Sequence, residues 1–173
     1  MPGKCAAIMF EKIIDIRNNT YPHGSLTIKD GEPLEAFFMW ENPMISKERY
    51  FHLVESNYLP KQYLDFLNTV SNGATLYYDK MYGQWGYKIY GLNECLSKQK
   101  LWMENLLQAP DSPYLVFCEL YGDNSVLVFD KSSFQTKILE TNYLHSSEWN
   151  LVANSLDEWL TELINHDGSK YWE

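Results

Sequence analysis

The chain has 173 residues, 45% apolar and 16% aromatic, with a formal net charge of −9 at pH 7. A domain of this length buries roughly 70% of its unfolded-chain surface, so it needs no disulfide or metal staple, and its apolar content excludes a disordered chain. The acidic balance excludes phosphate-backbone binding and an anionic membrane surface, and suits either a basic protein partner or solubility alone.

The apolar stretch Cys5–Phe10 is followed at once by Glu11 and Lys12, which makes it too short for a signal core, and no run reaches bilayer length. Phe10, Ile13 and Ile14 share one face of a short helix. Tyr21-Pro22-His23-Gly24 and Asp30-Gly31 mark turns, with extended pieces over Ser25–Lys29 and Leu34–Trp40. Ser46 reads as the N-cap of a helix, and Pro60 opens the next, where Tyr63, Phe66, Leu67 and Val70 recur at helical spacing before the stop at Asn72-Gly73.

A strand over Ala74–Asp79, a loop over Lys80–Gln84 and a strand over Trp85–Tyr90 follow. Asn93 reads as the cap of a helix to about Gln108, with Leu96, Trp102, Met103, Leu106 and Leu107 on its apolar face. Ala109-Pro110-Asp111-Ser112-Pro113 breaks it. Tyr114–Tyr121 and Val126–Phe129 are nearly continuous apolar runs around Gly122-Asp123-Asn124-Ser125, the pattern of central strands covered on both faces. Gln135–Glu140 adds a strand. Ser155 and Glu158 have capping-box spacing ahead of the stripe Leu156, Trp159, Leu160, Leu163 and Ile164. The order predicts one α+β domain with a mostly antiparallel sheet packed with helices.

Five stretches taken together resemble one family: Tyr58-Leu59-Pro60-Lys61-Gln62-Tyr63-Leu64-Asp65-Phe66-Leu67, with Ser71-Asn72-Gly73 after it; Gly83-Gln84-Trp85-Gly86-Tyr87-Lys88-Ile89-Tyr90-Gly91-Leu92; Gly122-Asp123-Asn124-Ser125-Val126-Leu127-Val128-Phe129-Asp130; and Trp149 with Val152-Ala153-Asn154-Ser155-Leu156-Asp157-Glu158-Trp159-Leu160. Their order and spacing are similar to the SUKH superfamily, which includes immunity proteins of bacterial toxin systems and a yeast cell-wall assembly regulator. The resemblance runs from about Ala36 to Ile164. It implies a SUKH-like α+β domain over residues 36–173 that binds protein and has no catalytic residues to carry over. Residues 1–35 are read as an N-terminal extension packed on, or leading into, this core.

The chemistry-bearing residues agree with a binding role. No GxSxG elbow, P-loop, HExxH or GxGxxG occurs. His23, His52, His145 and His166 lie far apart and pair with no cysteine at metal spacing, so no metal and no cofactor is expected. Cys5, Cys95 and Cys118, odd in number and widely spaced, fit reduced thiols in the cytoplasm, with Cys118 an inert core thiol. His145 and Glu148 read as a polar loop before Trp149.

The unusual local feature is the crowd of Tyr77, Tyr78, Tyr82, Trp85, Tyr87 and Tyr90 on one hairpin, flanked by Asp79, Glu119, Asp123 and Asp130. Trp85 reads first as a core residue, and Tyr82 equally as packing or interface. Glu119 interrupts an apolar strand, so it should face solvent, a partner or a base such as Lys88. The expected partner-binding set is Asp79, Tyr82, Gln84, Trp85, Glu119, Tyr121 and Asp123.

These readings together give a non-catalytic cytoplasmic immunity protein, monomeric or weakly dimeric when free. It would neutralise a cognate, basic bacterial toxin domain by direct binding, with a nuclease as the class the charge favours. A regulatory scaffold for a signalling or cell-wall factor, and a small hydrolase with an unrecognised site, are the alternatives.

Overall fold

The computed structural model describes residues 9–28, 34–43 and 46–173. The turn expected at Asp30-Gly31 and the thiol of Cys5 lie outside these residues. In chain order the elements are α1 (Glu11–Thr20), β1 (His23–Ile28), β2 (Leu34–Trp40), α2 (Lys47–Ser56), α3 (Lys61–Thr69), β3 (Ala74–Tyr78), β4 (Tyr87–Ile89), α4 (Leu92–Asn105), β5 (Tyr114–Leu120), β6 (Val126–Asp130), β7 (Lys137–Glu140), β8 (Asn150–Ala153) and α5 (Leu156–Asn165). The eight strands form one sheet in sequence order, and every neighbouring pair is antiparallel. The fold is therefore α+β, as the element order implies.

Helices α1, α3 and α5 cover one face of this meander. Phe117 stacks on Phe129 at 4.0 Å between ring centroids, Tyr63 of α3 leans on both, and Trp159 of α5 meets Phe117 and Tyr87 edge-on. Phe10, ahead of α1, packs edge-on against Phe66 of α3. Burying these rings supplies the main drive for the fold, since aromatic side chains remove the most apolar area from water. Of the section before Ala36, the described residues 9–28 are built into this packing: Phe10 and Ile13 are buried, and β1 is hydrogen-bonded to β2 along its whole length.

Helix α4 lies on the opposite face. Tyr87 and Ile89 point towards the α5 side, so Lys88 and its cross-strand partner Glu119 point away, and there they meet Glu94 and Lys98 of α4. Because β4 is only three residues long, the first half of β5 pairs with β6 on one side but has no strand on its β4 side. The side-chain amide of Gln99 fills that place: its Nε2 donates to the Tyr114 carbonyl at 2.8 Å, and its Oε1 accepts from the Val116 N–H at 2.8 Å. One amide thus completes a ladder that would otherwise leave two backbone groups unpaired.

Two details depart from the sequence reading of α4. The helix starts at Leu92 with Gly91 at its N-cap, and it is the side chain of Asn72 that accepts from the Leu92 N–H, so Asn93 lies inside the helix. Of the face expected to be apolar, Met103 and Leu106 are buried, but Leu96 and Leu107 are exposed, and Leu92 and Cys95 are buried in their stead. Trp85 stands outside β4, and Asn150–Ala153 forms a strand that its short pattern does not announce.

Candidate functional site

The register places three connections at one end of the sheet. Leu76 pairs with Tyr87, Glu119 with Val126, and Glu140 with Asn150, so the β3–β4 loop, the β5–β6 turn and the β7–β8 loop lie side by side. The first two carry most of the residues singled out from the sequence.

Asp79 is only 7% exposed and shapes its loop from within. Its Oδ1 accepts from the N–H groups of Met81 at 2.8 Å and Tyr82 at 3.3 Å, and its carbonyl accepts from Gly83 N–H. This side-chain turn lifts Met81 and Tyr82 to the tip, where they are 77% and 71% exposed. Gln84 is exposed and Trp85 is half-buried against Tyr77.

The β5–β6 turn is locked against this loop. Tyr121 N–H donates to the Gly86 carbonyl, and its ring lies 4.9 Å from that of Tyr78. Burial pushes the Tyr121 hydroxyl above its ordinary pKa of 10.0. Gly122 has φ +72°, and any Cβ there would collide with the Gln84 carbonyl oxygen, so only glycine allows so close an approach.

Asp123 is not a free surface charge. Its carboxylate receives Lys170 Nζ at 2.7 Å and Ser125 N–H at 3.0 Å. Burial works against its charge, but these donors outweigh that and hold the carboxyl below 3.8. Lys170 also reaches Glu140 at 2.7 Å and Glu173 at 3.0 Å. Glu140 is 1% exposed and takes further hydrogen bonds from Ser125 Oγ and Trp172 Nε1. Three carboxylates thus surround one ammonium, leaving this corner with a local excess of two negative charges. The C-terminal residues that build it were not picked out from the sequence, because a lone lysine after a helix carries no pattern; a buried glutamate at a strand end was the available hint.

Glu119 sits apart, on the α4 side of the sheet. Its Oε2 accepts from Tyr90 Oη at 2.9 Å and lies 3.4 Å from Lys98 Nζ. Lys88 stands directly opposite in register, but its ammonium goes to Glu94 at 2.7 Å, so the basic group beside Glu119 is Lys98. The structure therefore brings Tyr82, Gln84, Trp85, Tyr121 and Asp123 together at one sheet end, turns Asp79 inward beneath them, and leaves Glu119 on a different surface.

His145 and Glu148 lie in a single 3-10 turn, joined through the backbone from Glu148 N–H to the His145 carbonyl. Cys95 and Cys118 are buried free thiols, with burial pushing Cys95 up to about 11 and Cys118 well above its ordinary 9.0, which removes thiolate character at neutral pH. Among the described residues no three His, Cys, Asp or Glu side chains gather at metal-binding geometry, and no helix is long and apolar enough to cross a membrane. No curated protein and no solved structure matches the chain. Residues 55–162, more than half of the chain and the segment that carries α3, α4, most of α5 and strands β3 to β8, match the model of the SMI1 / KNR4 family (SUKH-1), and the chain belongs to that family.

Proposed function

We propose that this protein is a cytoplasmic immunity protein that neutralises a basic toxin domain, made by the same cell or its siblings, through direct non-catalytic binding. The observation that carries the reading is the locked sheet end. Met81 and Tyr82 stand exposed there beside the Asp123, Glu140 and Glu173 carboxylates, which share one ammonium. Exposed aromatic and thioether side chains anchor interfaces at low entropy cost. An uncompensated negative corner steers and selects a positively charged partner, and the whole-chain charge of −9 acts in the same direction. Gly122 and the Asp79 turn hold these groups in place before any partner arrives, so little ordering is left to offset on binding. A nuclease is the toxin class that this charge complements best, because its substrate cleft is basic.

Co-expression with a cognate toxin, sought among the neighbouring genes, tests the proposal. The expected results are survival of the host and an equimolar complex on gel filtration. Survival without complex formation, or hydrolytic activity of the pure protein that is abolished by His145→Ala or Glu148→Gln, contradicts it.

A further inference from the structure

We infer that the binding surface continues past Asp123 onto the β7–β8 loop, and that the cleft between Leu107 and Leu144 receives an apolar side chain of the partner flanked by basic residues. This rests on the immunity reading for the identity of the partner, and on the following geometry for the place.

The cleft has a volume of about 430 Å³ and is lined by Leu107, Gln108, Leu144, His145, Ser146 and Ser147. Leu107 is 75% exposed, Leu144 56% and the neighbouring Tyr143 59%. Leu107 is also conformationally costly. Helix α4 ends with Gln108 N–H donating back to the Met103 carbonyl, the closure that places the intervening residue in the left-handed region, and Leu107 has φ +54°. Glycine occupies that position cheaply, whereas a leucine is strained there. A strained backbone and a large apolar side chain left in water both act against the free protein, and nothing among the described residues offsets either. A partner that covers the side chain offsets the second.

The surroundings specify that partner. Exposed Glu104 lies one turn before Leu107, Asp111 follows in the next turn, and exposed Glu148 closes the 3-10 turn that begins at Ser146. Lys100 reaches Glu104 only at 3.8 Å in an exposed pair, which is worth little. Two apolar walls, Leu107 and Leu144, among polar ones, with the exposed carboxylates of Glu104, Asp111 and Glu148 close by along the chain, fit an apolar residue between lysines or arginines. The β7–β8 connection that lines the cleft leaves β7 at Glu140, which shares Lys170 with Asp123. From β4 to β8 is four strand spacings, about 19 Å, well inside the width of a standard interface of roughly 800 Å² per partner.

A random peptide library displayed on phage, panned against the full-length protein, tests this without the toxin. The expected result is enrichment of peptides that carry a large apolar residue between Lys or Arg. Their affinity should fall about thirtyfold, the size of a hot-spot loss, in Leu107→Gly and in Leu144→Ser, and should hold in Phe134→Ala, an exposed position in the β6–β7 connection at the other end of the sheet. Leu107→Gly should melt at or above the wild-type temperature, because it relieves the left-handed strain, so lost binding cannot be put down to lost folding. No enrichment, or peptides that bind Leu107→Gly as tightly as the wild type, overturns the inference whatever the toxin does. So does a concentration-dependent dimer that Leu107→Gly dissolves, since the cleft would then belong to a second copy of the chain. Toxin protection that survives in Leu107→Gly and Leu144→Ser overturns the placement while leaving the immunity reading intact.

Discussion

Replacing Lys170 by methionine removes one positive charge and keeps most of the side chain's apolar stem. In the wild type the ammonium contacts Glu140 and Asp123 at 2.7 Å each and Glu173 at 3.0 Å. Deleting one partner of a buried ion pair costs about 3–5 kcal/mol, because the remaining charge is left without a counter-charge. Glu140 keeps two hydrogen-bond donors, Ser125 Oγ and Trp172 Nε1, and Lys170 is 21% exposed, so the lower end, about 3 kcal/mol at pH 7, is expected. The pH dependence has a definite sign. Burial alone would depress the lysine, but the three carboxylates outweigh it and hold its pKa above the ordinary 10.5. A raised folded-state pKa contributes stability that is fully present below 10.5 and is lost as pH rises through the folded value. The deficit of Lys170→Met should therefore be constant from neutral pH to 10.5 and shrink above it, by up to about 1.4 kcal/mol per pH unit. Asp123 behaves in the opposite sense. Its depressed pKa adds stability above 3.8 that is lost as pH falls further, and the variant should lose the share that comes from Lys170. Urea denaturation followed by tryptophan fluorescence at pH 7 and above 10.5 measures the effect. A deficit below about 1 kcal/mol at pH 7, or one that grows with alkalinity, refutes the reasoning.

Three further substitutions probe the frame. Trp159→Ala deletes a fully buried side chain that packs on Phe117 and Tyr87, and should cost about 3–5 kcal/mol in chemical denaturation. Gln99→Leu leaves the Tyr114 carbonyl and the Val116 N–H without partners and should cost about 2 kcal/mol, with faster amide exchange at Val116. Gly122→Ala forces a Cβ against the Gln84 carbonyl at a positive φ; it should lower stability by more than about 2 kcal/mol and separate the β3–β4 loop from the β5–β6 turn, visible as a loss of Tyr121 N–H protection.

Local patterns predicted local structure well. Ser155 caps α5, accepting from Glu158 N–H at 3.1 Å, although the Glu158 carboxylate reaches back to Asn154 N–H rather than to Ser155. The continuous apolar runs of β5 and β6 are buried on both faces, as such runs imply, because α4 covers the side of the sheet opposite α5. Features created by distant partners were illegible. The start of α4 is set by Asn72, twenty residues away, and the Phe10 N–H ahead of α1 is capped by Asp157 from α5. Leu96 and Leu107 look like core residues in any hydrophobicity pattern, and only the position of α4 on the sheet shows them to be exposed. At the candidate site the aromatic loop and the Asp123 turn were visible from composition. Their meeting depends on the register of β4 with β5, and the Lys170 network on where the C-terminal residues fold back.

The central claim is that one sheet end binds a basic toxin domain. Hydrogen exchange on the equimolar complex with that toxin tests it most directly. The account predicts new protection confined to the connections 79–86, 121–125 and 141–149 and to residues 106–108 beside the last of them, with β1 and α2 unchanged. Protection concentrated on β1 or α2 while those three connections exchange as in the free protein would contradict it.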